Sequence, residues 1–186
     1  MIVRPRVPNA GTPGRPAVEA ALRLDFLAAG RNLVLVASQG LGETMIAQNV
    51  AHQAVLGGHR VVFLTAAQLL LDLGGQDSAR AIARRLQYYS QQGLLLVDEI
   101  GYLSFDARAA DLLFQVVSRR YGKKSLVLTT NLSFSDWPTI FPNATTVTAL
   151  IDRIVHHANI LTIEGDNYRR RQAQSDRTLP HDTPGR

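Results

Sequence analysis

The sequence predicts an α/β fold, a parallel sheet covered by helices on both faces, and three features predict it. Short, wholly apolar runs at 33–36 and 94–97 have the pattern of parallel strands buried on both sides. Stretches with helical spacing separate such runs, so strand and helix alternate along the chain. Glycine-bearing turns mark the changes from one to the other.

Residues 1–15 are rich in Pro and Gly, carry no apolar period and read as a flexible lead-in. Residues 16–29 read as a helix, with Pro16 in its first turn, Val18, Ala21, Leu22 and the run 24–27 contributing apolar positions, and Gly30 as its stop. Strand 33–36 follows, then a Gly-bearing turn and a helix over 44–56 closed by Gly57 and Gly58. A second strand spans 60–64 and a short helix 66–73, which Gly74 and Gly75 break. Asp77 is placed to cap a helix running to about Ser90. Strand 94–97, helix 106–121, strand 125–130, helix 147–157 and strand 160–163 complete the regular structure. Residues 169–186 are polar, contain Pro180 and Pro184, and read as a loose tail. The expected organisation is therefore a lead-in over 1–15, a folded core over 16–168 and a tail over 169–186.

A chain of 186 residues suits one domain with a proper core. Its 46% hydrophobic share argues against wholesale disorder. The absence of cysteine excludes disulfides, thiolate metal sites and cysteine nucleophiles. No apolar run approaches the roughly 20 residues needed to cross a bilayer. Arg4 and Arg6 are not followed by an apolar stretch, so no signal peptide is expected and the cytoplasm is the expected location. The net charge of +5 and a pI near 10.1 suit a polyanionic partner such as DNA. Lys123 and Lys124 are the only lysines, so arginine carries almost all of the positive charge.

The turn after the first strand reads Ala37-Ser38-Gln39-Gly40-Leu41-Gly42-Glu43-Thr44. The phosphate-binding pattern G-x-x-x-x-G-K-[ST] places its glycines, lysine and hydroxyl between a buried strand and a helix. There, loop N–H groups and the helix N-terminus cradle phosphates while the hydroxyl holds Mg²⁺. Gly42 and Thr44 match, whereas Ala37 replaces the first glycine and Glu43 the lysine. On its own this is a weak signal, and an ordinary Gly-rich strand-to-helix turn is the better reading. The run 94–97, however, ends in Asp98 and Glu99, an acid to hold Mg²⁺ followed by an acid to orient and deprotonate water. The next strand ends in Asn131, at the sheet edge where ligands of open α/β sheets sit; capping of a loop is its competing role.

The stretches 98–103, 110–121, 130–137 and 150–158 closely resemble the IstB family, the AAA+ helper ATPases of insertion-sequence transposition and relatives of the DnaC helicase loaders. The likeness runs from about Ala17 to Arg169, and the run from Ala110 to Tyr121 is specific to that family rather than to P-loop proteins at large. The resemblance implies an AAA+ P-loop core that binds ATP and Mg²⁺, forms a homo-oligomer on double-stranded DNA and assists the transposase of its own insertion sequence. It places Gly40, Leu41, Gly42, Glu43 and Thr44 at the nucleotide, and Thr44 and Asp98 at the metal. Glu99, Asp98 and Asn131 are then catalytic, and Arg153 is the arginine finger that completes a neighbouring subunit's site. Without the resemblance, Arg153 reads as a surface charge partnered by Asp152. Arg169, after Tyr168, matches a sensor arginine. A DNA-facing insertion is implied between Ala66 and Ser90, where Arg80 and Arg84 share a helix face beside Arg85; a solvated basic face is the plain alternative. His156 and His157 read as structural.

Two departures qualify these expectations. The family resemblance implies a region before the core, where this sequence has about fifteen loop-like residues, which puts transposase docking through it in doubt. Glu43 reverses the charge at the phosphate grip. A unit charge pair about 4 Å apart is worth roughly 4 kcal/mol at an effective dielectric near 20. Exchanging such an attraction for a repulsion is large against the roughly 8 kcal/mol of micromolar binding. No Lys or Arg between Asn32 and His59 substitutes for it, and Ala37 adds a backbone penalty if the loop needs positive φ there. Weak ATP binding and slow or absent hydrolysis are expected. The alternatives are a catalytically inactive pseudo-ATPase or decayed transposon fragment acting as a DNA and oligomerisation module, and a DnaC-like helicase loader. A P-loop kinase fits less well, because its transfer site depends on the missing lysine.

Overall fold

The computed structural model describes residues 15–163 apart from Gln39 and Leu103, so the lead-in before Arg15 and the tail, with Tyr168 and Arg169, lie outside the described residues. The strands are β1 (Asn32–Ala37), β2 (Val61–Thr65), β3 (Leu94–Ile100), β4 (Ser125–Thr130) and β5 (Ala158–Ile163). They form one parallel sheet in the order β2-β3-β4-β1-β5. Parallel neighbours need long crossovers. These are supplied by α3 (Glu43–Leu56), α4 (Ala66–Gly74), α5 (Ala79–Gln91), α6 (Ala107–Arg120) and α7 (Ala144–Val155), while α1 (Arg15–Leu22) and α2 (Asp25–Ala28) precede β1.

Alternation along the strands sorts the core into two layers, because successive side chains of a strand point to opposite faces. Leu33, Leu35, Leu94, Leu96 and Val127 pack with Phe26 of α2 and with Ala47, Val50 and Ala54 of α3. Val34, Leu95, Val97, Leu126 and Leu128 face the other way, against α4, α5, α6 and α7 and the buried Trp137. The wholly apolar runs are thus buried on both sides, as the sequence predicts.

The element boundaries differ from expectation at three places with a physical cause. The helix expected over 16–29 is broken in two, because Leu24 takes a left-handed conformation (φ 63°). The break turns the chain so that Ala21 and Phe26 both enter the core. The cap of α5 is Ser78, whose side chain accepts from the N–H of Ala81 at 3.2 Å; Asp77 does not cap it. Helix α7 starts earlier than Val147, because Asn143 accepts from the N–H groups of Thr145 and Thr146.

Arg120 is 1% exposed and ties several of these pieces together. Its guanidinium donates to the carbonyls of Tyr89 (2.7 Å) and Gln92 (3.0 Å), and to the carbonyl of Ser125. The end of α5 is thereby fixed to the start of β4. Burial pushes its pKa down to about 10, so it remains charged at neutral pH. Replacing it by Met leaves buried carbonyls without a donor, each worth about 1–3 kcal/mol. Arg120→Met is expected to lower unfolding free energy by about 3 kcal/mol, measured by urea denaturation with the slope unchanged.

Candidate functional site

The carboxyl ends of β1, β3 and β4 meet at one edge of the sheet. Ala37 ends β1, pairs with Ile163 and is buried. It is not among the residues of positive φ, so the backbone penalty considered for it does not arise. The turn instead uses Gly40 (φ 83°) and Gly42 (φ 94°), and Gly42 leads directly into α3. These are conformations that glycine adopts without a steric cost.

Thr44, in the first turn of α3, donates its hydroxyl to Asp98 Oδ1 at 3.3 Å. Thr129 of β4 donates to the same oxygen and accepts the backbone N–H of Glu99 at 2.9 Å. Asp98 is buried, whereas Glu99 is exposed, although the two are adjacent in β3. The register of β3 against β4 shifts between Val97 and Ile100, and Glu99 takes φ 64°. Such a bulge re-aims side chains at a strand end, and here it separates a buried carboxylate from an exposed one. Thr129 was not singled out in the sequence. Its only signal there is a pair of threonines closing an otherwise apolar strand.

Asn131 follows β4 and lies against the exit of β3. A Cβ added to Gly101, which has φ 115°, would stand 2.5 Å from Asn131 Oδ1. That Oδ1 is buried and makes no hydrogen bond. Asn131 is therefore brought to the same edge as Thr44, Asp98 and Glu99.

Glu43 also belongs to this edge. It sits in the first turn of α3, is 8% exposed, and its Oε2 is buried without a hydrogen-bond partner. A helix N-terminus favours negative charge by some 0.3–1 kcal/mol, which helps the fold to accept a carboxylate there. Thr44 and Asp98, joined at 3.3 Å, are a hydroxyl and a carboxylate of the kind that hold a divalent cation. A buried, unpaired carboxylate in the phosphate turn does not suit a polyphosphate.

Other predicted residues lie elsewhere. Arg153, on α7, stacks its guanidinium 4.5 Å from the ring centre of Phe114 and donates to the carbonyl of Ala149 at 3.4 Å. Among the described residues it makes no ion pair with Asp152. Arg80 and Arg84 are exposed on α5. Arg85 instead binds Asp72 of α4 at 2.7 Å, and Tyr89 donates to the same carboxylate oxygen at 2.7 Å. His156 is hydrogen-bonded to Tyr121. Arg169 lies outside the described residues.

The model of the IstB-like ATP binding protein family matches residues 11–176. A protein of insertion sequence IS21 from Pseudomonas aeruginosa, named for ATP binding, is 34% identical over 91% of this chain and 64% of its own length. Its counterpart in insertion sequence IS5376 of Geobacillus stearothermophilus is 32% identical over 83% of this chain and 62% of its own. The chain thus spans about three fifths of the length of these curated relatives. Among solved structures, AMPPCP-bound DnaA from Aquifex aeolicus is similar with a TM-score of 0.69 and 20% identity, over 92% of this chain and 52% of that one. The DnaC helicase loader gives 0.63 and 21%, over 85% and 93%. These likenesses establish an AAA+ P-loop fold.

Two outcomes follow from this geometry. Gly101→Ala forces a side chain into left-handed backbone and against Asn131 Oδ1, and is expected to cost about 2 kcal/mol of stability, read from urea or thermal unfolding. Burial works against the charge of Asp72, but hydrogen bonds from Arg85 and Tyr89 and the guanidinium charge outweigh it and hold the carboxyl below its ordinary value. Folded Asp72 therefore binds a proton less readily than unfolded Asp72. Its contribution is present above the unfolded pKa of about 3.9 and is lost as pH falls through the lower folded value. The acid-side decline in Tm is expected to be shallower in Asp72→Asn than in the native protein.

Proposed function

The chain belongs to the IstB-like ATP-binding protein family, and from that premise we propose that it is the AAA+ core of an insertion-sequence helper whose ATP binding and hydrolysis are impaired by Glu43. The hydrogen bond from Thr44 to Asp98 carries the ATPase half of this reading. It joins the first turn of the phosphate-loop helix to the acid at the end of β3, the pair that would hold Mg²⁺. When bound, Mg²⁺-ATP supplies the phosphoryl group for hydrolysis. Thr129 would keep the Asp98 carboxylate fixed, Glu99 would orient and deprotonate the attacking water, and Asn131 would face that water from the neighbouring strand. Gly40, Leu41 and Gly42 would offer backbone N–H groups to the phosphates.

The buried Oε2 of Glu43 carries the impaired half. A carboxylate without a donor repels phosphate where the family pattern wants a cation, and the low dielectric around it strengthens the effect.

Double-stranded DNA and the transposase of the same insertion sequence are the proposed partners. Exposed Arg80 and Arg84 support a DNA contact, with Arg85 bracing their helix against Asp72. In a homo-oligomer, Arg153 would complete a neighbour's site; no carboxylate claims it among the described residues. Arg169 would act as a sensor arginine. The unpaired Glu43 favours one second reading, a pseudo-ATPase that keeps self-association and DNA contact without turnover. Gel-shift assays with and without a large excess of ATP separate the two, since even an impaired helper gains DNA binding from the nucleotide and the module binds equally without it.

Calorimetric titration of Mg-ATP into the native protein and into Glu43→Lys, with hydrolysis followed in parallel, tests the proposal. Little or no heat from the native chain and binding in the micromolar range by the variant are expected. Tight binding with turnover by the native chain would show that another group replaces the lysine and would overturn the account of Glu43.

A further inference from the structure

The opposite edge of the sheet carries a second constellation that the phosphate loop does not use. Arg60 immediately precedes β2, Lys123 and Lys124 precede β4, and Arg119 lies in the last turn of α6. Together with Gln87 and Gln91 of α5 they line a cleft of about 590 Å³. All four cations are exposed, and among the described residues none makes an ion pair. Among the described residues no carboxylate lines the cleft. Four unneutralised charges around one concavity focus a positive potential.

We propose that this cleft binds the phosphate backbone of duplex DNA, extending the contact that begins at Arg80 and Arg84. It rests on the reading of this chain as a DNA-contacting helper, and it names a second surface for that contact. Continuity supports it. A shallower groove of about 420 Å³ is lined by Arg80, Arg84 and Tyr88, and it shares Gln87 and Gln91 with the cleft. The two form one basic track along the exposed side of α5. At 1.5 Å per residue, the helix from Arg80 to Gln91 is about 16 Å long, which corresponds to roughly five phosphates per strand of duplex.

The track is also rigid. Arg120 fixes the carbonyls of Tyr89 and Gln92 to that of Ser125, so the end of α5 is held beside Lys123 and Lys124. Its own buried charge has no acid partner among the described residues and adds to the positive potential near the cleft. An acidic protein is the less suitable occupant. Stable protein interfaces have an apolar or aromatic core, and this cleft is lined only by cations, amides and a serine. Strand β3 separates it from Asp98 and Glu99 by about 13–17 Å, so a duplex held there leaves the nucleotide edge open.

The test is the salt dependence of binding to an end-labelled duplex, followed by fluorescence anisotropy on the native chain, on Lys123→Ala/Lys124→Ala and on Arg80→Ala/Arg84→Ala. Each lost phosphate contact lowers the slope of log K against log salt by about 0.9. The lysine pair is expected to weaken binding and flatten the slope by roughly 1.8, and the arginine pair to do the same independently. Both lysines are exposed and lie in a turn, and circular dichroism of each variant verifies the fold. Arg119→Ala is a third probe, expected to flatten the slope by about 0.9. Unchanged affinity and slope in the lysine pair, beside weakened binding in the arginine pair, would overturn the cleft assignment and leave the DNA reading standing. Failure of the native chain to bind duplex even at low salt would overturn the DNA reading and the cleft with it. Tighter binding of polyglutamate than of the duplex at matched charge and salt, lost in the lysine pair, would reassign the cleft to an acidic protein.

Discussion

Burial of β1, β3 and β4 on both faces is the constraint from which the rest of the molecule follows. A strand enclosed by helices on either side has no room for a polar group along its length, because each would need a partner inside the core. Polar side chains are consequently pushed to the strand ends. Ser125 stands at the start of β4, while Thr129 and Thr130 stand at its finish, and Asp98 lies near the end of β3. Each of these four is buried, and each is close enough to a loop or helix terminus to find a hydrogen bond. The chemistry of this protein is confined to two edges because the middle cannot hold it.

The two edges differ in charge. The carboxyl edge gathers Glu43, Asp98 and Glu99, and the amino edge gathers Arg60, Arg119, Lys123 and Lys124 above the buried Arg120. Helix dipoles sit comfortably with both placements, since Glu43 is at the N-terminus of α3 and Arg119 near the C-terminus of α6. The same dipole that prepares a helix N-terminus for phosphate also accommodates a carboxylate in its first turn. The dipole therefore offsets part of the cost of burying Glu43 Oε2 without a partner, whereas in phosphate binding nothing offsets its repulsion.

Asn131 and Arg120 illustrate how close packing sets function at a distance from sequence. Gly101 lets the exit of β3 approach Asn131 more closely than any side chain would allow, and leaves its Oδ1 buried and unbonded at the site. Among the described residues Arg120 has no acid partner, and its hydrogen bonds to carbonyls fix the end of α5 to the start of β4. A sequence reader sees in Arg120 only one arginine of a basic helix terminus.

The sequence by itself determined the fold class, the alternation of elements and the identity of Thr44, Asp98, Glu99 and Asn131 as candidates, because buried parallel strands are written as unbroken apolar runs and their ends as the first polar residues. It also displayed Glu43, since a charge reversal within a spaced pattern is local information. Tertiary structure alone decided that Thr129 shares the Asp98 oxygen, that Arg85 is bound to Asp72 while Arg80 and Arg84 are exposed, and that Leu24 breaks the first helix. It alone brought Arg60, before β2, beside Arg119, Lys123 and Lys124, which share the crossover into β4, to line one cleft. Hydrogen bonds and charge clusters between distant segments depend on sheet order and register, and neither has a local signature in the chain.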